Sequence, residues 1–257
     1  MSTPPTASTT TLTAHLLSLS TPRPYSAVTE HPFLTAAGLG TLPPALLSLW
    51  LEQDRLYAAH GYPAFIGRTL AAVPFSSLDE AESPRERQNK EIVRVLSYAL
   101  TNVVREVNFF GDVAREHGLK PDGWKERKAT RDYTAEMAKV GAEGRIEDAL
   151  VFLWAMEQVY LDSWRYVGSL KPVDAEGGTA PAVKSLVNNW TNQEFVKFVD
   201  ELAQIVNSLG IEPGSPAWIR AEAIWARVVE LEEAFWPVGE RSSSCLARRY
   251  RGLVQVI

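Results

Sequence analysis

Apolar residues recur every three or four positions along most of this chain, and this spacing restricts the fold more than any other feature. It is the spacing of one helix face, whereas the alternation typical of a half-buried strand never persists beyond a few residues. Turn sequences such as GLKPDG, GAEGR and SLGIEPGSP separate the helical stretches. The sequence therefore predicts an all-α protein, a single-domain bundle of about seven helices.

The limits of the predicted helices follow from proline, glycine and capping residues. The helices cover about 13–20, 44–72 with a kink or break at Pro63, 78–117 with an interruption near 80–84, 130–142, 145–169, 181–208 and 215–236. Residues 1–24 are predicted to be disordered or loosely docked, because their first part is rich in Ser, Thr and Pro. Residues 25–237 form the predicted helical domain, and 238–257 a C-terminal extension.

Composition argues against several classes of function. The 257 residues carry a formal net charge of −5 without strong separation of sign, so we expect no nucleic-acid partner. No apolar run approaches the roughly 20 residues that span a bilayer, and the N-terminus lacks the pattern of a secretory signal. The single cysteine, Cys245, cannot form an internal disulfide, which is typical of a reducing compartment. We therefore expect a cytoplasmic protein without a membrane partner.

Carboxylates interrupt the apolar stripes of four predicted helices. They are Asp54, on a stripe with Trp50 and Tyr57; Glu106, between Val103 and Phe110; Glu157, on a face with Leu153 and Trp164; and Glu232, between Val229 and Phe235. Glu52 and Arg55 fall off the first of these stripes, and we expect them to face solvent. Four helices thus direct an acid toward the interior.

These acids have two interpretations. A buried carboxylate must be paired, hydrogen-bonded or protonated, because removing its charge from water costs several kcal/mol. In the first interpretation each acid pairs with an arginine of a neighbouring helix, the candidates being Arg68, Arg94, Arg105, Arg165 and Arg227. In the second, the acids line a pocket with tyrosine and tryptophan walls for a flat ligand that presents N–H donors, such as an aminopyrimidine.

No metal or cofactor is expected. The Glu-x-x-His pairs that supply di-iron ligands in helical bundles do not occur, and the 4 histidines are scattered singly. His15, on the first short helix, could in principle be an axial haem ligand. An ordinary surface histidine is the favoured interpretation.

The stretch HPFLTAAGLGTLPPALLSLWLEQDRLY resembles the opening of the TenA/thiaminase II family, in which His-Pro-Phe precedes Gly-Thr-Leu-Pro and a helix with Gln-Asp and a tyrosine. DYTAEM, Gly144 and the final Glu-x-x-Phe-Trp at 232–236 continue the match over about 25–237. The resemblance implies a haem-oxygenase-like helical bundle that assembles as a dimer or tetramer. It also implies hydrolysis of thiamin or its degradation product, which releases hydroxymethylpyrimidine for salvage.

The resemblance also implies roles for individual residues. Asp54 would contact the pyrimidine amine, and Glu232 would bind the pyrimidine and handle protons. The family's pocket tyrosines would correspond to Tyr57, Tyr133 and Tyr160. Trp190 stands where the family often has tyrosine.

One position departs from the cysteine-containing branch of that family. Its nucleophile lies about 23 residues after the tyrosine of Tyr-Thr-x-x-Met, a count that reaches Met156, whose thioether cannot form the covalent adduct of a thiolate. The chain thus resembles the branch without this cysteine, in which glutamates carry the chemistry. Glu157 is then either a catalytic acid or a packing or salt-bridge residue, and Glu106, Trp190 and Met156 are candidates for substrate binding.

Three functions remain open at this point. The chain could be a cysteine-less hydrolase of an aminopyrimidine, a non-catalytic binding or scaffold relative, or an enzyme that acts on another nitrogen heterocycle. The first two both require Asp54 and Glu232 to face one pocket.

Overall fold

The computed structural model describes residues 10–121 and 123–238. Within these ranges all of the regular secondary structure is helical, as the sequence predicts. The helices are α1 (Leu12–Ser18), α2 (Ser26–Thr29), α3 (Pro32–Gly38), α4 (Pro44–Leu56), α5 (Tyr62–Ala71), α6 (Pro84–Glu116), α7 (Lys128–Glu143), α8 (Ile146–Ser169), α9 (Ala180–Thr191), α10 (Gln193–Ser208) and α11 (Pro216–Phe235). One π-helical turn, Tyr57–Gly61, joins α4 to α5.

Apart from the break between α4 and α5, the described residues form three helices more than the predicted count of about seven, for two reasons. Two short helices before α4 were not predicted, because four and seven residues are too few to show a helical period. The stretch predicted as one helix over 181–208 is two helices. They divide at Asn192, whose extended backbone ends α9 and whose side chain accepts a hydrogen bond from the Phe195 N–H, capping α10.

Helix α8 is the central element of the bundle. It packs against α3, α9, α10 and α11, and almost all of its residues between Asp148 and Leu161 are buried. Gly144, with φ of 71°, ends α7 in the left-handed conformation and allows the chain to turn directly into α8. Between Asp148 and Leu161 α8 is buried on nearly every side, so the polar residues of this part lie among the neighbouring helices.

Helix α1 lies inside the segment 1–24, and it is packed against the bundle. Leu12 and Leu16 are buried against the core, and the backbone N–H of Thr13 donates to Asn207 Oδ1 at 3.1 Å. His15 contributes to this contact, since its Nε2 lies 2.7 Å from Glu222 Oε1 and its ring lies 4.6 Å from that of Trp218. Most of the predicted C-terminal extension, including Cys245, lies outside the described residues.

Two predictions about α4 and α5 need correction. The break predicted at Pro63 is a π-turn over the five residues before Tyr62, and Pro63 itself lies in the first turn of α5. Glu52 does not face solvent. It is 6% exposed, and its carboxylate accepts two hydrogen bonds from Arg55, at 2.7 and 2.8 Å.

No helix within the described ranges is long and apolar enough to cross a membrane.

Replacing Gly61 by alanine should destabilise the fold, because it disturbs the packing of the π-turn against α7. Gly61 lies in the π-turn against α7, where a Cβ would lie 2.8 Å from Thr134 Cγ2 and 3.1 Å from Met137 Sδ. Such overpacking costs about 1–3 kcal/mol of unfolding free energy. Gly67→Ala, in α5, is the matched control, since its Cβ would meet nothing within 4 Å. It should be neutral or stabilising by up to about 1 kcal/mol. Denaturant unfolding of both variants checks this, and an equal effect of the two would contradict the tight approach of α7.

Candidate active site

The four acids predicted to point inward come from four different helices and lie within electrostatic range of one another. Asp54 is on α4, Glu106 on α6, Glu157 on α8 and Glu232 on α11. The charge of Glu106 raises the pKa of Asp54 and of Glu157, and the charges of Asp54 and Glu157 raise that of Glu232. We call these four residues the acid cluster.

Asp54 and Glu232 form the inner part of the cluster and share one arrangement. They are 2% and 0% exposed. Tyr160 donates its hydroxyl hydrogen to Asp54 Oδ1 at 2.6 Å, and Tyr133 donates to Glu232 Oε1 at 2.5 Å. The second oxygen of each carboxyl, Asp54 Oδ2 and Glu232 Oε2, is buried and has no hydrogen-bond partner. Each inner acid therefore keeps one oxygen available to a ligand, as a donor while the carboxyl is protonated and as an acceptor once it is ionised.

Glu157 and Glu106 form the outer part of the cluster and are only partly buried. Tyr62 donates to Glu157 Oε1 at 2.5 Å, and the Asn189 amide donates to Glu106 Oε1 at 3.1 Å. All four acids thus accept hydrogen bonds from neutral groups.

Arginine pairing, the first interpretation of these acids, is wrong. None of the ion pairs resolved among the described residues includes a member of the acid cluster. Four of the candidate arginines bind other acids: Arg94 binds Glu91 and Glu201, Arg105 binds Glu194, Arg165 binds Asp162, and Arg227 binds Glu136 and Glu230. The same holds for the salt-bridge alternative for Glu157. The cluster is a set of acids without a neighbouring cation in the described part of the chain.

Burial without a cation raises the pKa of every acid in the cluster. Loss of hydration is the largest cause in each case, and the tyrosine and asparagine hydrogen bonds only partly offset it. The pKa of Glu106 rises to about 7 and that of Glu157 to about 8. The pKa values of Asp54 and Glu232 also lie well above their ordinary range. Carboxyl groups of this kind hold or exchange protons near neutral pH.

Aromatic rings surround the acids and fix the tyrosines that bind them. The rings of Tyr57 and Tyr133 lie 5.0 Å apart, and the ring of Tyr160 lies 5.6 Å from Trp236 and 5.5 Å from Trp190. Trp190 in turn stacks on Trp164 at 4.9 Å. The structure thus brings the tyrosines and Trp190, which were predicted from the sequence, to the walls of the acid cluster.

Met156 also lies in this group. It is 1% exposed, and Tyr57 donates its hydroxyl hydrogen to the Met156 sulfur at 3.2 Å. A thioether is a weak acceptor and cannot replace a thiolate as a nucleophile. Met156 therefore contributes packing and one hydrogen bond to this group of residues, and no nucleophile.

The contact of Tyr62 with the acid cluster was not predicted from the sequence. Tyr62 is five residues after Tyr57, and an α-helix would place two such residues on different faces, whereas the π-turn brings both to the acid cluster. Their ring centroids lie 6.1 Å apart. The only signal in the sequence was that Tyr57 and Tyr62 lie five residues apart just before Pro63, one more than the four-residue spacing of a helix face.

Gln53 and Asn189 were also missed as site residues, since Gln53 was noted only as part of the Gln-Asp of the family pattern and nothing in its sequence context distinguishes Asn189. Gln53 fixes the start of α7. Its Oε1 accepts hydrogen bonds from the Arg127 N–H and the Thr130 hydroxyl, both at 2.7 Å, and its Nε2 donates to the Lys125 carbonyl at 3.1 Å. These bonds hold the first turns of α7, which carry Tyr133, against α4, next to Asp54.

No group of three or more His, Cys, Asp or Glu side chains in the described ranges is arranged to hold a metal ion.

The sequence model of the TENA/THI-4/PQQC family matches residues 22–242, most of the chain. The protein belongs to this family. The match includes all the helices that carry the acid cluster, and the structural neighbours described below share the haem-oxygenase-like fold.

Individual TENA/THI-4/PQQC relatives are distant in sequence. A protein of soybean (Glycine max) described as a "Probable bifunctional TENA-E protein" is 22% identical over 213 residues, which cover 82% of this chain and 86% of that protein. A TenA family transcription regulator from Silicibacter sp. TM1040 superimposes with a TM-score of 0.70, 17% identity and coverage of 88% and 94%. A protein from Sulfolobus solfataricus described as a "putative tena-like thiaminase" superimposes with a TM-score of 0.58 and 15% identity, covering 82% of this chain and 88% of that protein. The two structures bear on the fold alone.

The ligand-free protein should lose stability as the pH rises through the neutral range. The folded-state pKa values of Glu106 and Glu157, about 7 and about 8, exceed the ordinary value of 4.5, so between these limits the folded state binds more protons than the unfolded state. The free energy of unfolding should therefore fall with rising pH, by at most about 1.4 kcal/mol per pH unit for each group.

Glu157→Gln should flatten this dependence between about pH 4.5 and 8, since glutamine does not titrate. Glu116→Gln, an exposed position at the end of α6, is the matched control and should leave the slope unchanged. Urea unfolding at closely spaced pH values provides the measurement. A slope as steep in Glu157→Gln as in the wild-type protein would show that the Glu157 carboxyl group is solvated as in the unfolded chain.

Proposed function

We propose that this protein is a TenA-like aminohydrolase that acts on an aminopyrimidine derived from thiamin, using carboxyl groups in place of a cysteine nucleophile. The observation that carries the proposal is the pair of inner acids. Asp54 Oδ2 and Glu232 Oε2 are buried carboxyl oxygens without a partner, while tyrosines fix the other oxygen of each carboxyl. A buried polar atom without a partner costs about 1–3 kcal/mol, so the site gains by binding a ligand that offers an acceptor to a protonated carboxyl and N–H donors to an ionised one.

The neighbouring groups support a flat heterocycle. Aromatic rings enclose the inner acids, and the indole Nε1 of Trp236, whose ring lies 5.6 Å from Tyr160, is also buried without a partner. This indole adds an N–H donor to the two unpartnered carboxyl oxygens of Asp54 and Glu232. An aminopyrimidine presents the complement, amine N–H groups together with ring nitrogens that accept, and its faces can pack on aromatic side chains.

The proposed reaction replaces an exocyclic amine by hydroxyl. A water oxygen bonds to the carbon that carries the leaving amine, the carbon–nitrogen bond breaks, and the amine leaves as ammonia after receiving a proton from a carboxyl group. The proton that the water loses passes to the carboxylate so formed, so that one water is consumed and one ammonia is released. Glu157 is suited to deliver the proton to the amine, because its pKa of about 8 keeps it protonated at neutral pH. Glu232 would bind the pyrimidine ring and accept or return a proton there, with Asp54 on the ring amine.

Family membership and the soybean relative, whose name contains TENA-E, support the hydrolase proposal. A non-catalytic binding protein is the second candidate, and it is favoured by Met156 at the position where the resemblance places a nucleophile. The cytoplasmic location and the assembly as a dimer or tetramer stay predictions.

Glu232→Gln should abolish most of the turnover. Wild-type protein incubated with the aminomethyl-pyrimidine should release ammonia together with hydroxymethylpyrimidine, and with the formylaminomethyl-pyrimidine it should do so only if it also hydrolyses the amide to formate. Loss of a proton-transferring carboxyl lowers kcat by about 10²–10⁴-fold. Glu230→Gln is the matched control, since Glu230 is exposed on the same helix and pairs with Arg227, and it should retain activity.

Two results would contradict this assignment in different ways. Turnover that persists in Glu232→Gln would show that another group handles the protons. Binding of the pyrimidines by the wild-type protein without any turnover, measured by calorimetry alongside the product assay, would favour the non-catalytic candidate.

A further inference from the structure

A surface cleft between α6, α9 and α10 lies directly outside the acid cluster. Its cavity volume is about 190 Å³, and its lining includes Asn102, Glu106, Asn189 and Asn192. Glu106 lines the cleft and is also a member of the acid cluster, in which its charge adds to the burial that raises the pKa of Asp54. Of the four acids, Glu106 alone lines this cleft.

The inner part of the cluster is closed to solvent. Asp54, Glu232 and Met156 are 0–2% exposed, so a ligand can reach the unpartnered oxygens of Asp54 and Glu232 only when some neighbouring contact opens. The question is which contact separates these oxygens from water.

One hydrogen bond crosses the floor of the cleft from α9 to α6. Asn189 Nδ2 donates to Glu106 Oε1 at 3.1 Å. The next residue, Trp190, faces the interior and lies 5.5 Å from the ring of Tyr160, the tyrosine that binds Asp54. Trp190 and Tyr160 therefore link the cleft residue Asn189 to Asp54.

The position of Asn189 in α9 allows this contact to open. It lies in the last turn of α9, just before the helix ends at Asn192. The side chain of Asn192 donates to the Asn189 carbonyl at 2.8 Å and takes the place of a continued helix. The Asn189 side chain can therefore leave Glu106 without unwinding a continuous helix.

A larger cavity, of about 350 Å³ between α7, α8 and α11, is the alternative opening. No member of the acid cluster lines it. Its lining arginines are bound to its own acids, Arg145 and Arg220 to Asp148 and Arg227 to Glu136. The rings of Phe152 and Tyr133 lie between this cavity and Glu232.

We propose that the cleft between α6, α9 and α10 is the entry route to the acid cluster, and that the hydrogen bond from Asn189 to Glu106 is the latch that closes it. The route admits small neutral or cationic molecules that carry N–H groups. Amide side chains and two carboxyl groups, those of Glu106 and Glu194, line it, and its single lining arginine, Arg105, is bound to Glu194 at 2.8 Å. The identity of the physiological ligand rests on the proposed function, whereas the route does not.

A buried thiol can report on the route without any enzymatic assay. In a Cys245→Ser background, Met156→Cys places the only cysteine of the chain behind the latch. The probe is 2-aminoethyl methanethiosulfonate, a small cation. The thiolate attacks its sulfenyl sulfur, a mixed disulfide forms, and methanesulfinate leaves. The labelling rate then measures access to position 156.

Filling the cleft should slow this labelling. Asn102→Trp places a large ring in the cleft and should reduce the rate by about tenfold or more, as expected when a gated path is blocked. Thr101→Trp is the matched control, because residue 101 is exposed on α6 and does not line the cleft, and its rate should not change.

Removing the latch should have the opposite effect. Asn189→Ala should raise the labelling rate several-fold, whereas Asn188→Ala, the exposed neighbour, should not. Asn189→Ala keeps the proposal testable even where Asn102→Trp fails to fold. Labelling that is unchanged in Asn189→Ala, or slowed equally by Thr101→Trp and Asn102→Trp, would overturn the proposal.

Binding of 4-amino-5-aminomethyl-2-methylpyrimidine to the wild-type protein separates this proposal from the proposed function. If the labelling responds as predicted while this pyrimidine neither binds nor turns over, the proposed function fails and the route stands. If the pyrimidine binds while the labelling responds to neither variant, the route fails and the proposed function stands.

Discussion

The hydrogen bonds between tyrosine hydroxyls and buried carboxyl groups are the interaction on which the rest of this structure depends. Tyr160 holds Asp54, Tyr133 holds Glu232 and Tyr62 holds Glu157. An arginine in these places would keep each carboxyl group ionised and occupy its oxygens. A tyrosine orients one oxygen, leaves the pKa high and leaves the other oxygen of Asp54 and Glu232 available.

The helices serve to bring these pairs together. Each pair joins two elements of the bundle: α4 to α8, α7 to α11, and α5 to α8. The π-turn places Tyr57 and Tyr62 side by side, and Gly61 lets α7 approach closely enough for Tyr133 to reach Glu232. The stability lost by burying acids is offset by the aromatic core around them, and a ligand with N–H donors would recover part of it.

Much of this could be predicted from the sequence, because the acids break a strong helical pattern. Asp54, Glu106, Glu157 and Glu232 were found from their stripes alone, and the family resemblance that placed three tyrosines was confirmed at the level of the family. Tyr62 was missed because a π-turn changes the helical phase locally. Glu52 was misplaced because α4 is buried on more than one side, a property of its neighbours. The break at Asn192 depends on a cap that a continuous apolar pattern conceals.

The protonation state of the acid cluster is the central claim, and infrared spectroscopy of its carboxyl groups tests it most directly. Protonated carboxyl groups absorb separately from carboxylates, so difference spectra of wild-type, Asp54→Asn and Glu232→Gln protein at neutral pH assign the signal. The account predicts a protonated-carboxyl band in the ligand-free wild-type protein that is weakened in both variants and altered when an aminopyrimidine binds. Spectra that show only carboxylates at neutral pH would contradict it.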